Sequence, residues 1–202
     1  MSVFITFEGG EGTGKTTLIK NIFQALRSSR PIVTTREPGG SLIAEAIRDV
    51  VLNPKYEGVT PHAEALLIAA ARAQHLHEVI LPALAEGKTV LCDRYLDSSL
   101  AYQAYARELG VPFILNINKL AVENMPDLTF YIDLDPKVGM DRISHRAKYD
   151  RLDQETDDFH LLVREGYLKV AAMYPERIVI INGNQPLENI TEEVLTAIRE
   201  QS

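Results

Sequence analysis

One run in the chain specifies chemistry through residue type and spacing alone: Gly9-Gly10-Glu11-Gly12-Thr13-Gly14-Lys15-Thr16-Thr17. It satisfies the phosphate-loop pattern G-x-x-x-x-G-K-[ST]. Glycines let the backbone turn tightly, so successive N–H groups converge on phosphate oxygens. A helix opening at Lys15 adds its positive N-terminal end. Lys15 is then placed to span β- and γ-phosphates, and the Thr16 hydroxyl to hold Mg2+. Gly10, Glu11, Gly12, Thr13, Gly14, Lys15, Thr16 and Thr17 are therefore the candidate nucleotide-binding residues. Glu11 is the odd resident, because a carboxylate facing a triphosphate repels it. Either it points to solvent, or the loop lacks a cation that another segment supplies.

Two further clusters follow apolar runs. Asp93-Arg94-Tyr95 ends the run 88–93, and Arg36-Glu37-Pro38-Gly39-Gly40 ends the run 31–36. In an open α/β sheet, ligands bind at the C-terminal edge of the strands. Arg94 offers a forked donor array for phosphate, and Asp93 can position Mg2+ or its water. The bland alternative is an Asp–Arg pair that only ties down the strand end. Arg36 or Arg48 can contact an acceptor phosphate, and Glu37 can orient the acceptor or a metal-bound water. A GTPase is disfavoured. Asn118-Lys119-Leu120-Ala121 lacks the aspartate of a guanine reader, and the glycine of a switch is missing after Asp93.

These residues need a frame that brings strand ends together. Short apolar runs at 3–8, 31–36, 89–93, 128–134 and 178–181 predict strands. Between them, helical periodicity predicts helices over 15–28, from Ser41 toward Leu52, over 61–85 behind a Thr60 cap, 98–107, 113–124, from Pro136 onward, 159–172 and 187–200. Pro82 should kink the helix over 61–85 or mark its last turn. Residues 145–158 are charged and aperiodic, and read as a flap. The alternation predicts an α/β three-layer sandwich on a five-stranded parallel sheet, and the phosphate-loop motif between its first strand and first helix makes the expected fold a P-loop NTPase.

Composition narrows the class further. The 202 residues carry a formal charge of −7, a poor match for nucleic-acid polymer binding. The single cysteine, Cys92, lies in an apolar run and reads as a buried thiol. The N-terminus does not read as a signal peptide, and no run is long enough for a membrane span, so a cytoplasmic protein is expected. The five histidines show no metal-ligand spacing and read as surface or packing residues.

FEGGEGTGKTT (7–17), TREPGG (35–40), AARAQ (70–74), CDRYLDSSLAYQ (92–103), PDLTFYID (126–133) and DRLDQE (150–155) together resemble the thymidylate kinase family, in family order and over most of the chain. The resemblance implies one nucleoside monophosphate kinase domain over 1–202, with a flap at about 142–155. It implies Mg2+-ATP as donor, dTMP as acceptor on the way to dTTP, and a homodimer. Arg72 would hydrogen-bond the thymine edge, with Ser99 and Gln103 completing base recognition. Tyr102 would crowd the sugar 2′ position, and Arg94 and Arg48 would lie near the acceptor. Glu11 places the chain with the bacterial kind, whose catalytic arginine sits in the flap. Arg146 is the expected closing cation, Arg142 is expected near adenine, and Arg151 is expected to pair with Asp150 or Asp153. One departure stands out: family members often carry an aromatic ring where this chain has Ile68. The rival readings are a kinase for dUMP or dCMP and a nucleotide-dependent binding module without transferase activity.

Overall fold

The computed structural model describes residues 2–56, 58–144 and 150–200. Its centre is a five-stranded sheet: β1 (Phe4–Glu8), β2 (Ile32–Arg36), β3 (Thr89–Asp93), β4 (Leu128–Asp133) and β5 (Ile178–Asn182). The spatial order is β2-β3-β1-β4-β5 and every pairing is parallel. Chain order reverses at β1, so the crevice beside that strand's C-terminal end is the topological switch point.

Period-two alternation divides the strands between two layers. Ile5 and Phe7 of β1, Leu91 of β3, and Leu128, Phe130 and Ile132 of β4 face one cluster. That cluster is closed by α1 (Lys15–Leu26) and α10 (Leu187–Glu200) through Leu18, Ile22, Ile190 and Val194. Phe4, Val90, Cys92 and Tyr131 face the other cluster. This second layer is built from α3 (Pro61–His75) and α9 (Asp157–Met173). Cys92 is fully buried there.

Thr60 caps α3 by accepting from Ala63 N at 3.3 Å. Ser41 precedes α2 (Leu42–Leu52) without a side-chain cap bond. Glu45, one position beyond a capping box, instead accepts from Gly40 N at 2.9 Å and holds the preceding loop. The long helix expected over 61–85 is present but not uniform. After α3 comes a π-helical turn, Leu76–Ile80, then α4, Leu81–Ala85. Pro82 has no N–H and its ring collides with the carbonyl four residues back. The wider turn just before it relieves that conflict without ending the helix.

The helix expected over 98–107 also differs. A short α5 (Leu96–Ser99) passes into a π-helical segment, Leu100–Ala106. Gly166 of α9 lies against that segment, where a Cβ would come within 2.9 Å of Ala101 O. The stretch expected as one helix over 113–124 is α6 (Val111–Ile117) and α7 (Lys119–Val122). Pro112 sits in the first turn of α6, where its missing N–H costs nothing. Finally, α8 (Pro136–Ile143) is capped by Asp135, which accepts from Lys137 N at 2.9 Å.

Candidate active site

The switch-point crevice opens into a cleft of ≈ 270 Å³. Its floor is the loop between β1 and α1. Gly14 occupies the left-handed region (φ 84°) and lets the chain turn into α1. Gly12 (φ +68°) also packs against α8, where a Cβ would lie 2.0 Å from Gly139 O. Gly139 is matched to it, since its own Cβ would lie 2.2 Å from Glu11 O. Two glycines therefore let the loop and α8 touch backbone to backbone.

Lys15 Nζ donates to Gly9 O at 3.0 Å, Gly10 O at 2.8 Å and Thr13 Oγ1 at 3.0 Å. Burial, then the charge of Arg94, pushes its pKa down to about 8. Thr16 Oγ1 donates to Asp93 Oδ2 at 3.1 Å. These are hard oxygen donors at the cleft floor, which suits Mg2+. Among the described residues there is no cluster of three or more His, Cys, Asp or Glu able to hold a metal ion. The pair fits an ion that shares its coordination with nucleotide phosphates, the usual habit of Mg2+.

Arg94 stands at the centre. It has φ 69°, rare for a non-glycine residue. Its backbone is held by Arg94 N donating to Phe7 O at 2.9 Å. Its guanidinium donates to Gly9 O (2.9 Å), Tyr167 Oη (3.1 Å) and the Glu11 carboxylate. Glu11 therefore does not point to solvent. It also accepts from Tyr102 Oη at 3.1 Å. Burial raises the Glu11 pKa, but Arg94, Lys15 and the Tyr102 hydroxyl outweigh it, and the net shift is downward.

Beneath this layer lies a group that sequence reasoning passed over as strand core. Glu8 is fully buried at the end of β1. It accepts from Tyr95 N (2.7 Å), Ser98 Oγ (2.5 Å) and Tyr167 Oη (3.0 Å). Burial, then the Asp97 charge, raises its pKa to about 7 against the opposing hydrogen bonds. Glu8 thus holds the chain that follows Arg94, at Tyr95 and Ser98, and ties it to Tyr167 of α9.

The cleft wall includes Ile68, Arg72, Ser99, Tyr102 and Gln103. Arg72 is held rigidly: Nε to Glu37 Oε2 (2.6 Å), Nη1 to Asn118 Oδ1 (2.5 Å) and Nη2 to Tyr95 O (3.0 Å). Glu37 also meets His75 Nδ1 at 3.0 Å, and His75 Nε2 meets Thr35 Oγ1 at 2.6 Å. His75 is fully buried, behind the cleft wall, and joins Glu37 to Thr35. Arg48 donates to Pro38 O at 2.7 Å beside the cleft, whereas Arg36 turns to Glu45 in a two-pronged contact at 3.0 and 3.1 Å.

Of the residues chosen from sequence, Glu11, Gly12, Thr13, Gly14, Lys15, Thr16, Thr17, Arg36, Glu37, Arg48, Ile68, Arg72, Asp93, Arg94, Ser99, Tyr102 and Gln103 line this one cleft. Gly10 lies just behind, lining a small neighbouring hollow. Arg142 is exposed at the rim, 3.5 Å from Gly12 O. Arg146, the expected closing cation, lies outside the described residues. Arg151 pairs with neither Asp150 nor Asp153; it donates to Val51 O at 2.8 Å and to the Glu64 carboxylate. Asp150 instead caps its own turn by accepting from Leu152 N and Asp153 N, which frees Arg151 to reach the buried carboxylate.

A family model described as thymidylate kinase matches residues 7–194. The chain belongs to the thymidylate kinase family. It is 54% identical over 199 residues to the thymidylate kinase of Acholeplasma laidlawii (strain PG-8A), covering 97% of this chain and 98% of that one. It is 51% identical over 195 residues to that of Clostridium novyi (strain NT), covering 95% of each. Among solved structures, the thymidylate kinase from Ehrlichia chaffeensis superposes with a TM-score of 0.82 at 31% identity, covering 98% of both chains. The parallel sheet and flanking helices are thus those of this P-loop family. Among the described residues, no helix is long and apolar enough to cross a membrane.

Proposed function

We propose that this chain transfers the γ-phosphoryl group of ATP to dTMP, giving ADP and dTDP as a step toward dTTP. Family membership carries the reaction class, and one observation carries its placement. Arg94 touches the phosphate loop through Gly9 O while lining the same cleft as Ile68, Arg72 and Gln103. A donor on the loop and a base at the other end would meet at its guanidinium.

Phosphoryl transfer depends on alignment and charge stabilisation more than on covalent help. The loop N–H groups and the start of α1 hold the donor phosphates. Lys15 leaves its loop carbonyls and takes the β- and γ-oxygens. Thr16 and Asp93 would hold Mg2+, which when bound neutralises charge across the β- and γ-phosphates. Arg94 bridges the acceptor phosphate and the transferred group, with Arg48 and Arg36 at the acceptor end. Glu37 fixes Arg72 against the base edge. The attacking phosphate oxygen is already anionic at neutral pH, so no general base is needed. Residues of about 142–155 form the flap of a single domain over 1–202. Arg146 closes it over the transferred group to exclude water, and Arg142 flanks the adenine. The protein acts in the cytoplasm as a homodimer and touches neither nucleic-acid polymers nor membranes.

The test is coupled ADP release with Mg2+-ATP and dTMP, dUMP, dCMP, dGMP or dAMP in parallel. A strong preference for dTMP is expected. Activity spread over several acceptors would discard the thymine assignment. Folded protein with no acceptor-dependent release would discard the kinase.

A further inference from the structure

Gln103 has a donor end and an acceptor end, and a neighbour off the cleft decides which one the base meets. That neighbour is Glu64 of α3, 1% exposed. Gln103 Nε2 donates to Glu64 Oε1 at 2.8 Å. The same carboxylate accepts from Arg107 Nε at 3.4 Å and Nη2 at 3.3 Å, and from Arg151 Nη2. A carboxylate between two guanidinium groups offers acceptors alone. An amide oxygen turned toward it would press two acceptors together. The amide is therefore oriented by chemistry: Nε2 faces Glu64 and Oε1 is left for the cleft that Gln103 lines.

We propose that Glu64 is a positioning residue for base selectivity. It fixes Gln103 as an acceptor, so that the cleft takes a base with a ring N–H, as in the thymine imide, and rejects one with a bare ring nitrogen there, as in cytosine. The inference rests on the dTMP kinase reading above. A bare nitrogen facing Oε1 leaves two buried acceptors opposed, the kind of mismatch polar sites reject most strongly.

Glu64→Gln reverses the logic. Its oxygen is drawn to the position of Oε2, where both Arg107 Nη2 and Arg151 Nη2 donate. Its NH2 then faces Gln103, whose amide turns and presents Nε2 to the cleft. The experiment measures kcat/KM for dTMP and dCMP in the wild type, Glu64→Gln, Glu64→Asp and Gln103→Leu, with folding checked by circular dichroism. Glu64→Gln should lower the dTMP-to-dCMP ratio by about tenfold or more. Glu64→Asp, still acceptor-only, should keep it within about threefold. A Glu64→Gln protein that loses both activities in equal proportion has suffered structural damage alone, and the inference falls. Should Glu64→Gln not fold, Gln103→Leu decides: collapse of the ratio supports the acceptor, an unchanged ratio overturns it. Wild type without acceptor-dependent ADP release defeats the kinase reading itself. A dTMP-selective wild type with an unchanged Glu64→Gln ratio defeats this inference alone.

Discussion

At the residue scale, two buried ionisable groups control the site, and each has a pH signature. Glu8 has a pKa raised to about 7, against an ordinary value of 4.5. The folded state therefore holds a proton that the unfolded state has released between these values. Its stabilising share is complete below pH 4.5 and is lost as pH rises through 7. Glu8→Gln should remove this dependence. Unfolding free energies of wild type and variant, compared at pH 4.5 and 7.5, should diverge by a few kcal/mol, at about 1.4 kcal/mol per unit of pKa. Parallel pH profiles would contradict it. Lys15, pushed down to about 8, loses its charge as pH rises through that value. An anionic phosphate favours the charged form, so ATP binding should take up a proton above pH 8 and weaken as pH climbs. Calorimetry in buffers of different ionisation enthalpy reads that proton directly. Lys15→Ala should cut kcat by about a hundredfold or more with the fold intact, since a preorganised charge at the transferred group is lost.

At the element scale, backbone contact between the phosphate loop and α8 matters most. Gly139 is not in the loop motif, yet a Cβ there would lie 2.2 Å from Glu11 O. Gly139→Ala must push α8 and the loop apart, a strain of roughly 1–3 kcal/mol by analogy with overpacked cores. The ATP KM should rise while the dTMP KM changes much less; equal changes in both would point to general destabilisation. The π-helical segment Leu100–Ala106 is the other decisive element. It follows Ser98 and Ser99, and its wider turn helps Tyr102 and Gln103 share a wall with them.

At the scale of the whole molecule, a buried pair joins the sheet to the site-bearing segment. Arg177, just before β5, donates to both Asp97 oxygens at 2.8 Å and to Thr129 Oγ1 at 3.0 Å. Arg177→Ala leaves Asp97 charged and unpaired, which should cost about 3–5 kcal/mol. Denaturant midpoints would show it, and a loss below about 1 kcal/mol would mean water replaces the arginine. Ligands act at the same scale. Saturation at a hundred times Kd should add about 2.7 kcal/mol per ligand, read as a rise in Tm. Chelating Mg2+ should remove most of the ATP share and little of the dTMP share.

The sheet, the phosphate loop and the strand-end clusters are legible in the residues, because these depend on local patterns: alternation, glycine spacing and caps. Tertiary structure alone decided the rest. Glu8 reads as one more residue of the strand FITFE until Tyr95, Ser98 and Tyr167 converge on it from distant segments. Arg151 has Asp150 and Asp153 as chain neighbours, and a pairing with one of them is what the local sequence leads one to expect. The fold offered Arg151 the buried carboxylate of Glu64, 87 positions away. His75 carries no spacing signal, and only the fold brings it against Glu37 and Thr35. The physical reason is common to all three: a buried polar or charged group must find partners, and which partners are in reach is set by the packing of elements, not by their order in the chain.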